Sequence, residues 1–358
     1  MAVTEARPAL RPGRGVDLTP RRTWGPAHYL AAFGAVLVFY IAWTWGTWLL
    51  DGPTQITAYR DTDSVAWYAA RGYEVAACIL AVILTTGIVR ACRRERRITL
   101  DGMIAIGGAF TYFWDPIPNW IMPNFMYSSN WLNLNDWTDH APFVINPDAG
   151  RLPEPVLFIG LTYTFGLLFF AIVLNALMRA ARRRRPSISN AKLVGVAALG
   201  AFGLDIALEG PMFLLHLWGL PGAPAEFALF GGNSRFPPAE FIPVTMVFTG
   251  WACLRFFKND KGEAITERGL VGLSPGRRTV VSVLATIAVC NSLLLVLGLV
   301  QITAGFFADP YPRYPVHMVN DLCDAPGVEG TRYGPCPGSP GFRAPGRDAL
   351  PGSKPYTR

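Results

Sequence analysis

The chain has 358 residues, of which 51% are hydrophobic and 16% are charged, and its mean hydropathy is +0.28. This composition is too apolar for an ordinary soluble domain and predicts an integral membrane protein. The formal charge of +7 comes largely from short arginine-rich loops. Because such loops cannot form a folded basic domain, we expect no nucleic-acid partner.

Seven apolar stretches predict an all-α fold, a polytopic transmembrane helical bundle of about seven spans. Most of them reach or approach the ~20 residues that a helix needs to cross the hydrocarbon layer. In chain order they cover residues 29–50, 72–89, 103–122, 156–178, 193–218, 241–257 and 280–306.

The distribution of arginine and lysine predicts the orientation of the bundle. The N-terminal tail and every second connection are rich in these residues, whereas the alternate connections hold one arginine each, Arg60, Arg151 and Arg235. Basic loops remain in the cytosol. We therefore expect a multi-pass protein of the cell membrane, with its N-terminus in the cytosol, its C-terminus outside and its arginine runs against membrane lipids.

These features divide the chain into three parts. Residues 1–26 form a cytosolic basic tail, and residues 27–307 form the transmembrane helical domain, with an outer aromatic loop at 115–152. Residues 308–358 form an outer tail rich in proline and glycine, which we expect to be partly disordered. A disulfide between Cys323 and Cys336 is permitted outside the cell and is left open. No cysteine or histidine spacing predicts a metal site, and the oligomeric state is also left open.

Four acidic residues within the predicted spans lie at nearly the same depth. Counting from the cytosolic ends at 1.5 Å per residue places them about 20–25 Å deep. They are Glu74, Asp115, Asp205 and Glu209. Ionisable groups at membrane depth are costly and often mark function, although Glu74 is more simply explained as the partner of Arg71.

Asp205 and Glu209 are spaced i, i+4 and therefore project from one face of a helix. Two carboxylates this close in a low dielectric should not both ionise, so a protonated acid is expected beside a carboxylate. That arrangement suits general acid–base catalysis. Pro211 follows at once and is expected to bend the helix and open a pocket. A structural role in helix-to-helix hydrogen bonding is the alternative.

The third apolar stretch is interrupted by Pro116, Pro118 and Pro123, so a regular helix beyond Trp114 is not expected. Irregular backbone at membrane depth is tolerated where it is buried or lines a cavity. Polar and aromatic residues here and on other spans are candidate substrate contacts, namely Tyr112, Trp114, Asn119, Trp120, Asn130, Tyr163 and His216, with Glu74 and Asn291 as supporting groups. An ordinary interfacial aromatic belt, or packing, is the alternative for these residues.

Three segments carry a resemblance to a known family. They read FTYFWDPIPNW, RLPEPVLF and DIALEGPMFLLHLW. The region from the first span to the seventh resembles the AveC-type spirocyclases, multi-span actinobacterial membrane proteins named for enzymes of macrolide polyketide biosynthesis. The resemblance implies closure of a dihydroxyketone polyketide to a spiroketal, in one member with dehydration of the product, and no cofactor.

The resemblance does not assign catalytic residues, so their roles follow from the depth argument. We expect Glu209 to be the general acid, Asp115 the carboxylate that faces the cationic intermediate, and Asp205 a supporting base. The partner would be an apolar small molecule, a polyketide or a lipid. Two other functions stay open: a non-catalytic lipid- or polyketide-binding protein, which needs no acid–base pair, and a transporter, which often shows repeated halves that are not evident here.

Overall fold

The computed structural model describes residues 24–58, 64–146, 149–220, 222–224, 226–308, 316–323 and 336. Nearly all of the predicted basic tail, and most of the predicted outer tail, lie outside the described residues. The fold is mostly helical, with 66% helix. It departs from the all-α prediction in having a few short strands.

The α-helices follow the apolar stretches in chain order. They are α1 (Pro26–Asp51), α2 (Ser64–Glu95), α3 (Leu100–Thr111), α4 (Phe158–Leu161), α5 (Leu167–Arg184), α6 (Asn190–Leu214), α7 (Pro238–Phe256) and α8 (Pro275–Gly305). A π-helical turn, Thr162–Gly166, joins α4 to α5, so the two form one continuous helix.

Among the described residues, five helices are long and apolar enough to cross a membrane, which indicates a membrane protein. They are α1, α2, the continuous α4–α5 helix, α6 and α8. Helix α2 shows little burial along its apolar length, as expected for a helix that faces lipid. Helices α3 and α7 are not among these candidate spans. The prediction of seven spans is therefore not confirmed.

The predicted third span, residues 103–122, is not a single helix. Helix α3 ends at Thr111 after 12 residues, a length of about 18 Å, and is followed by 3-10 turns at Tyr112–Trp114 and Ile117–Asn119. Pro116 and Pro118 explain the change, because proline lacks the amide hydrogen and restricts the residue before it. The apolar stretch thus continues to residue 122, whereas its regular helix ends at Thr111.

The arginine-rich connections gather at one end of the bundle, which we call the arginine end. Arg255 donates to both carboxylate oxygens of Asp101, at 2.8 and 2.9 Å, and also to Asn175 at 3.0 Å. Arg97 pairs with Glu267 at 3.5 Å. These contacts join α3, α5, α7 and the α7–α8 connection.

The opposite end of the bundle is closed by a cap, formed by the described parts of residues 112–157 and 215–237. Its strands are β2 (Met126–Tyr127), β3 (Asn133–Asn135), β4 (Pro153–Pro155) and β5 (Trp218–Gly219), with β1 (Gln55–Ile56) added from the α1–α2 connection. β3 pairs antiparallel with both β1 and β4, and β2 pairs with β5. The predicted outer aromatic loop is thus a folded element.

Helices α1 and α8 pack closely at Gly34. A Cβ atom at this position would lie 2.0 Å from the carbonyl oxygen of Leu284, so only glycine fits without moving one helix. Gly46 lies on the same helix, and a Cβ atom there would meet nothing within 4 Å.

We predict that Gly34→Ala lowers the melting temperature of the detergent-solubilised protein, because overpacking costs about 1–3 kcal/mol. The matched change Gly46→Ala should leave it unchanged or slightly higher, since alanine is favoured over glycine in helices by up to about 1 kcal/mol. Differential scanning fluorimetry measures both. Equal melting temperatures for Gly34→Ala and wild type would contradict the α1–α8 packing described above.

Candidate active site

A cavity lies between the helices and the cap. Its lining residues come from the segment after α3, from the cap, and from the continuous α4–α5 helix, α6, α7 and α8. The cavity volume is about 80 Å³, which is smaller than the about 300–1,000 Å³ that is typical of sites for drug-sized ligands.

Asp115 reaches the cavity because the chain turns sharply after α3. Its amide donates to the carbonyl of Tyr112 at 3.2 Å, closing the 3-10 turn. The neighbouring Trp114 indole donates to Asn291 on α8 at 2.7 Å, which fixes this turn against the bundle. Tyr127 donates its hydroxyl to Oδ1 of Asp115 at 3.3 Å. Asp115 also interacts with the side chains of Tyr163 and Glu154.

Tyr163 lies beside Asp115 in the cavity wall. It belongs to the π-helical turn, a feature frequent at functional sites because it changes the direction of side chains within a helix. Gly108 on α3 permits the turn to come close, since a Cβ atom there would lie 2.4 Å from the carbonyl oxygen of Tyr163.

Glu209 lines the cavity from α6. Asp205 lies one turn earlier on the same helix, is fully buried, and interacts with Glu209. Asp205 is not among the residues that line the cavity. The two carboxyl groups therefore form a pair in which one member faces the cavity and the other lies behind it. The helix continues through Pro211 to Leu214.

A third carboxyl group, Glu240, lines the cavity from α7. It is buried and accepts a hydrogen bond from the side-chain amide of Gln301 on α8, which also lines the cavity. Glu240 was not predicted from the sequence, because the apolar stretch assigned to this helix began at residue 241. The available signal was an acidic residue two positions after Pro238, in the first turn of a helix.

The rest of the cavity wall is largely apolar and aromatic, and the described lining residues include no lysine, arginine or histidine. The carboxyl groups therefore share the cavity with two tyrosine hydroxyls and an apolar volume, and no cationic residue is among the described residues of its wall. Like charges gathered in a low dielectric disfavour full ionisation. The cavity is thus suited to hold protonated and ionised carboxyl groups side by side.

Comparison with protein-family models matches residues 95–314 to the family described as spirocyclase AveC-like. This match covers more than half of the chain. The chain belongs to the AveC-like spirocyclase family. Comparison with curated proteins and with solved structures found no match.

Membership in the AveC-like family confirms the resemblance seen in the sequence and supports a spirocyclase-type role. The matched region begins at residue 95, later than the first span from which the resemblance was expected to run. It includes every residue that lines the cavity and leaves out α1 and most of α2. The cavity is therefore located in the part of the chain that carries the family match.

Several predicted contact residues lie in the cap rather than in the cavity wall. Asn119 accepts the amides of Asn124 and Phe125 at 2.7 and 3.0 Å, and thus holds a turn. The carbonyl of Asn130 accepts a hydrogen bond from Arg71 at 2.8 Å. The other predicted contacts that do not line the cavity are Tyr112, Trp120 and His216, and Asn291 on α8, predicted as a supporting group, does not line it either. Of the predicted substrate contacts, the cavity wall contains Trp114 and Tyr163.

Glu74 has the structural explanation that was favoured from the sequence. It pairs with Arg71 at 2.9 Å and accepts the amide of Leu132 at 2.9 Å. The ion pair lies within α2, and the bond from Leu132 attaches α2 to the cap. Glu74 is buried but is not part of the cavity wall.

His216 packs against a described segment of the outer tail. Its ring stacks on that of His317, with centroids 5.0 Å apart. Burial, and to a smaller extent His216, lower the pKa of His317 to about 4. Farther along the tail, Cys323 and Cys336 are joined by a disulfide.

Two buried acids in the cap lie close to the site and were not predicted. Glu154, on β4, is almost completely buried near Asp115. Burial raises the pKa of Glu154 well above its usual range, and the charges of Asp115 and Asp136 act in the same direction. Glu154 belongs to the segment RLPEPVLF, which contributed to the family resemblance. Because Glu154 lies outside the predicted helical spans, its depth could not be counted from the helical rise.

The burial of Asp136 makes the stability of the cap depend on pH. Burial raises the pKa of Asp136 from 3.8 to about 7, against the opposing effect of the hydrogen bond from the Thr138 amide. The folded state therefore favours the neutral acid. Its contribution to stability is complete below pH 3.8 and is lost as the pH rises towards about 7.

We accordingly expect the melting temperature of the wild type to fall over this pH range. The melting temperature of Asp136→Asn should fall less, because the asparagine side chain stays neutral and still offers an oxygen to the amide of Thr138. Thermal unfolding in detergent across the range measures the difference between the two curves. Parallel curves for variant and wild type would show that Asp136 is not buried as described.

Proposed function

We propose that the protein is a membrane-embedded spirocyclase that closes a hydroxyketone of an apolar polyketide or lipid to a spiroketal by general acid–base catalysis. The observation that carries the proposal is the meeting of Asp115 and Glu209, from separate helical segments, in one apolar cavity without a described cationic residue. Family membership supports the reaction class. The arrangement of carboxyl groups supports its mechanism.

The substrate class follows from the cavity wall. Aromatic and aliphatic side chains would contact a hydrocarbon chain, and the few polar groups of the wall would contact a ketone and hydroxyls. We propose that the protein resides in the cell membrane with the arginine end in the cytosol, in contact with anionic membrane lipids. An apolar substrate would then enter from the bilayer.

Spiroketal formation needs proton transfers at each reacting oxygen. One hydroxyl adds to the ketone, giving a hemiketal with a new hydroxyl on the former carbonyl carbon. Protonation of that hydroxyl releases it as water and leaves an oxocarbenium ion. The second hydroxyl then forms the remaining carbon–oxygen bond and loses its proton. One proton is donated and one is accepted, so the carboxyl groups recover their starting state by exchange among themselves.

We assign the proton donor to Glu209 and the carboxylate that faces the oxocarbenium ion to Asp115. Paired carboxyl groups divide their roles in the same way around glycosyl cations. Asp205, proposed from the sequence as a supporting base, lies behind Glu209 and does not line the cavity. Its proposed role is therefore to share a proton with Glu209. A cavity lined by apolar groups also disfavours the return of water, which would reopen the spiroketal.

We predict that Asp115→Asn and Glu209→Gln each reduce spiroketal formation by about 10²–10⁴-fold, because the first removes the charge that faces the oxocarbenium ion and the second removes the general acid. Purified protein in nanodiscs would be given long-chain dihydroxyketones whose hydroxyls can close two rings, and loss of water would be followed by mass spectrometry. Asp260→Asn is the matched control, because Asp260 is exposed at the arginine end and its change should leave turnover at the wild-type rate.

Wild-type turnover by Asp115→Asn and Glu209→Gln, at equal abundance, would reject the acid–base proposal. A different result would favour a non-catalytic binding protein. In that case the wild type would not convert the dihydroxyketones but would bind them tightly, and both variants would bind them as tightly as the wild type does.

A further inference from the structure

We propose that Glu240 is a further catalytic carboxyl group of this site and that Gln301 is its positioning residue. The inference rests on the proposed spirocyclase function and adds to it. Neither residue was predicted from the sequence, and the family match does not single them out. The support comes from their place in the cavity, the anchoring of Gln301, and the position of Glu240 in α7.

Glu240 meets the geometric requirements for contact with substrate. It lies in the wall of the same cavity as Asp115 and Glu209, and only 3% of its surface is exposed. It also interacts with Asp205 and Asp115 through space. A buried acid inside an otherwise apolar wall is costly, so a structural function alone gives little reason for placing it there.

Gln301 is held so that its amide can orient Glu240. The side-chain amide of Gln301 donates to one carboxylate oxygen of Glu240. The backbone carbonyl of Gln301 accepts a hydrogen bond from the side chain of Asn124 at 2.7 Å, and Asn124 is itself fixed by Asn119. The cap, α8 and α7 are thus connected through one chain of hydrogen bonds that ends on Glu240.

The position of Glu240 favours its ionised form more than the position of Glu209 does. Glu240 lies in the first turn of α7, where the helix dipole stabilises negative charge, and it accepts a hydrogen bond from an amide that cannot give up its proton. Glu209 lies well inside α6, next to the acidic Asp205. Glu209 on α6 is therefore the proton donor, and Glu240 on α7 is the proton acceptor.

This difference matches the proton balance of the proposed reaction. A dihydroxyketone has three reacting oxygens, and three carboxyl groups line the cavity. Glu209 protonates the departing hemiketal hydroxyl, Asp115 faces the oxocarbenium ion, and Glu240 accepts the proton that the second hydroxyl loses as its carbon–oxygen bond forms. The proton then returns from Glu240 to the Asp205–Glu209 pair, which completes the cycle without a co-reactant.

The test uses Glu240→Gln and Gln301→Met in full-length protein in nanodiscs, with the dihydroxyketones named above. We expect Glu240→Gln to reduce kcat by about 100-fold or more while KM changes by less than about threefold. Gln301→Met should reduce kcat less and move the acidic limb of the pH–rate profile to higher pH by about one to two units, because the ionised carboxylate loses a hydrogen bond and its pKa rises.

Glu263→Gln is the matched control, because Glu263 pairs with Arg278 at the arginine end and its change should leave both kcat and the pH profile unaltered. Wild-type kcat in Glu240→Gln would overturn the inference. If Glu240→Gln does not accumulate in the membrane, Gln301→Met decides: an unshifted pH profile overturns the inference, and a shifted profile supports it. A loss of turnover in Asp115→Asn together with full turnover in Glu240→Gln would leave the spirocyclase proposal intact.

Discussion

The protein gathers several carboxyl groups in a cavity that has no cationic partner among its described lining residues. Burying one charged carboxylate in a low dielectric is costly, and burying several together is more so. Such a cluster is stable when its members share protons, so that acids and carboxylates coexist at neutral pH. A reaction that donates one proton and accepts another needs both forms at the same place, and this is the physical basis of the proposed catalysis.

The fold supports the cluster by interrupting its helices and covering them. Helix α3 ends at Thr111, which lets Asp115 turn into the bundle, and the π-helical turn brings Tyr163 to face it. The cap then closes the site with short strands and buried asparagines, which satisfy the backbone where regular helix has stopped. The ion pairs of the arginine end lie at the opposite end of the bundle, away from the carboxyl cluster.

The sequence predicted the parts of this structure that depend on local spacing. The i, i+4 pair Asp205–Glu209 needed only the helical period, and the break at Pro116 followed from the chemistry of proline. It did not predict Glu240, because hydropathy marks where a span becomes apolar and not where its helix begins. It also missed Glu154, since burial of a loop residue depends on how the cap folds. Asn119 and Asn130 were predicted as ligand contacts, but their hydrogen bonds hold the cap backbone.

We expect protonated and ionised carboxyl groups to lie together in the cavity at neutral pH. Infrared difference spectroscopy of the protein in nanodiscs detects the protonated form through the C=O stretch of carboxylic acids, and exchange into D₂O identifies that band. The protonated-acid band should be present at neutral pH, lost or altered in Glu209→Gln, and preserved in Glu263→Gln. A spectrum with no band that depends on Glu209 would contradict this expectation.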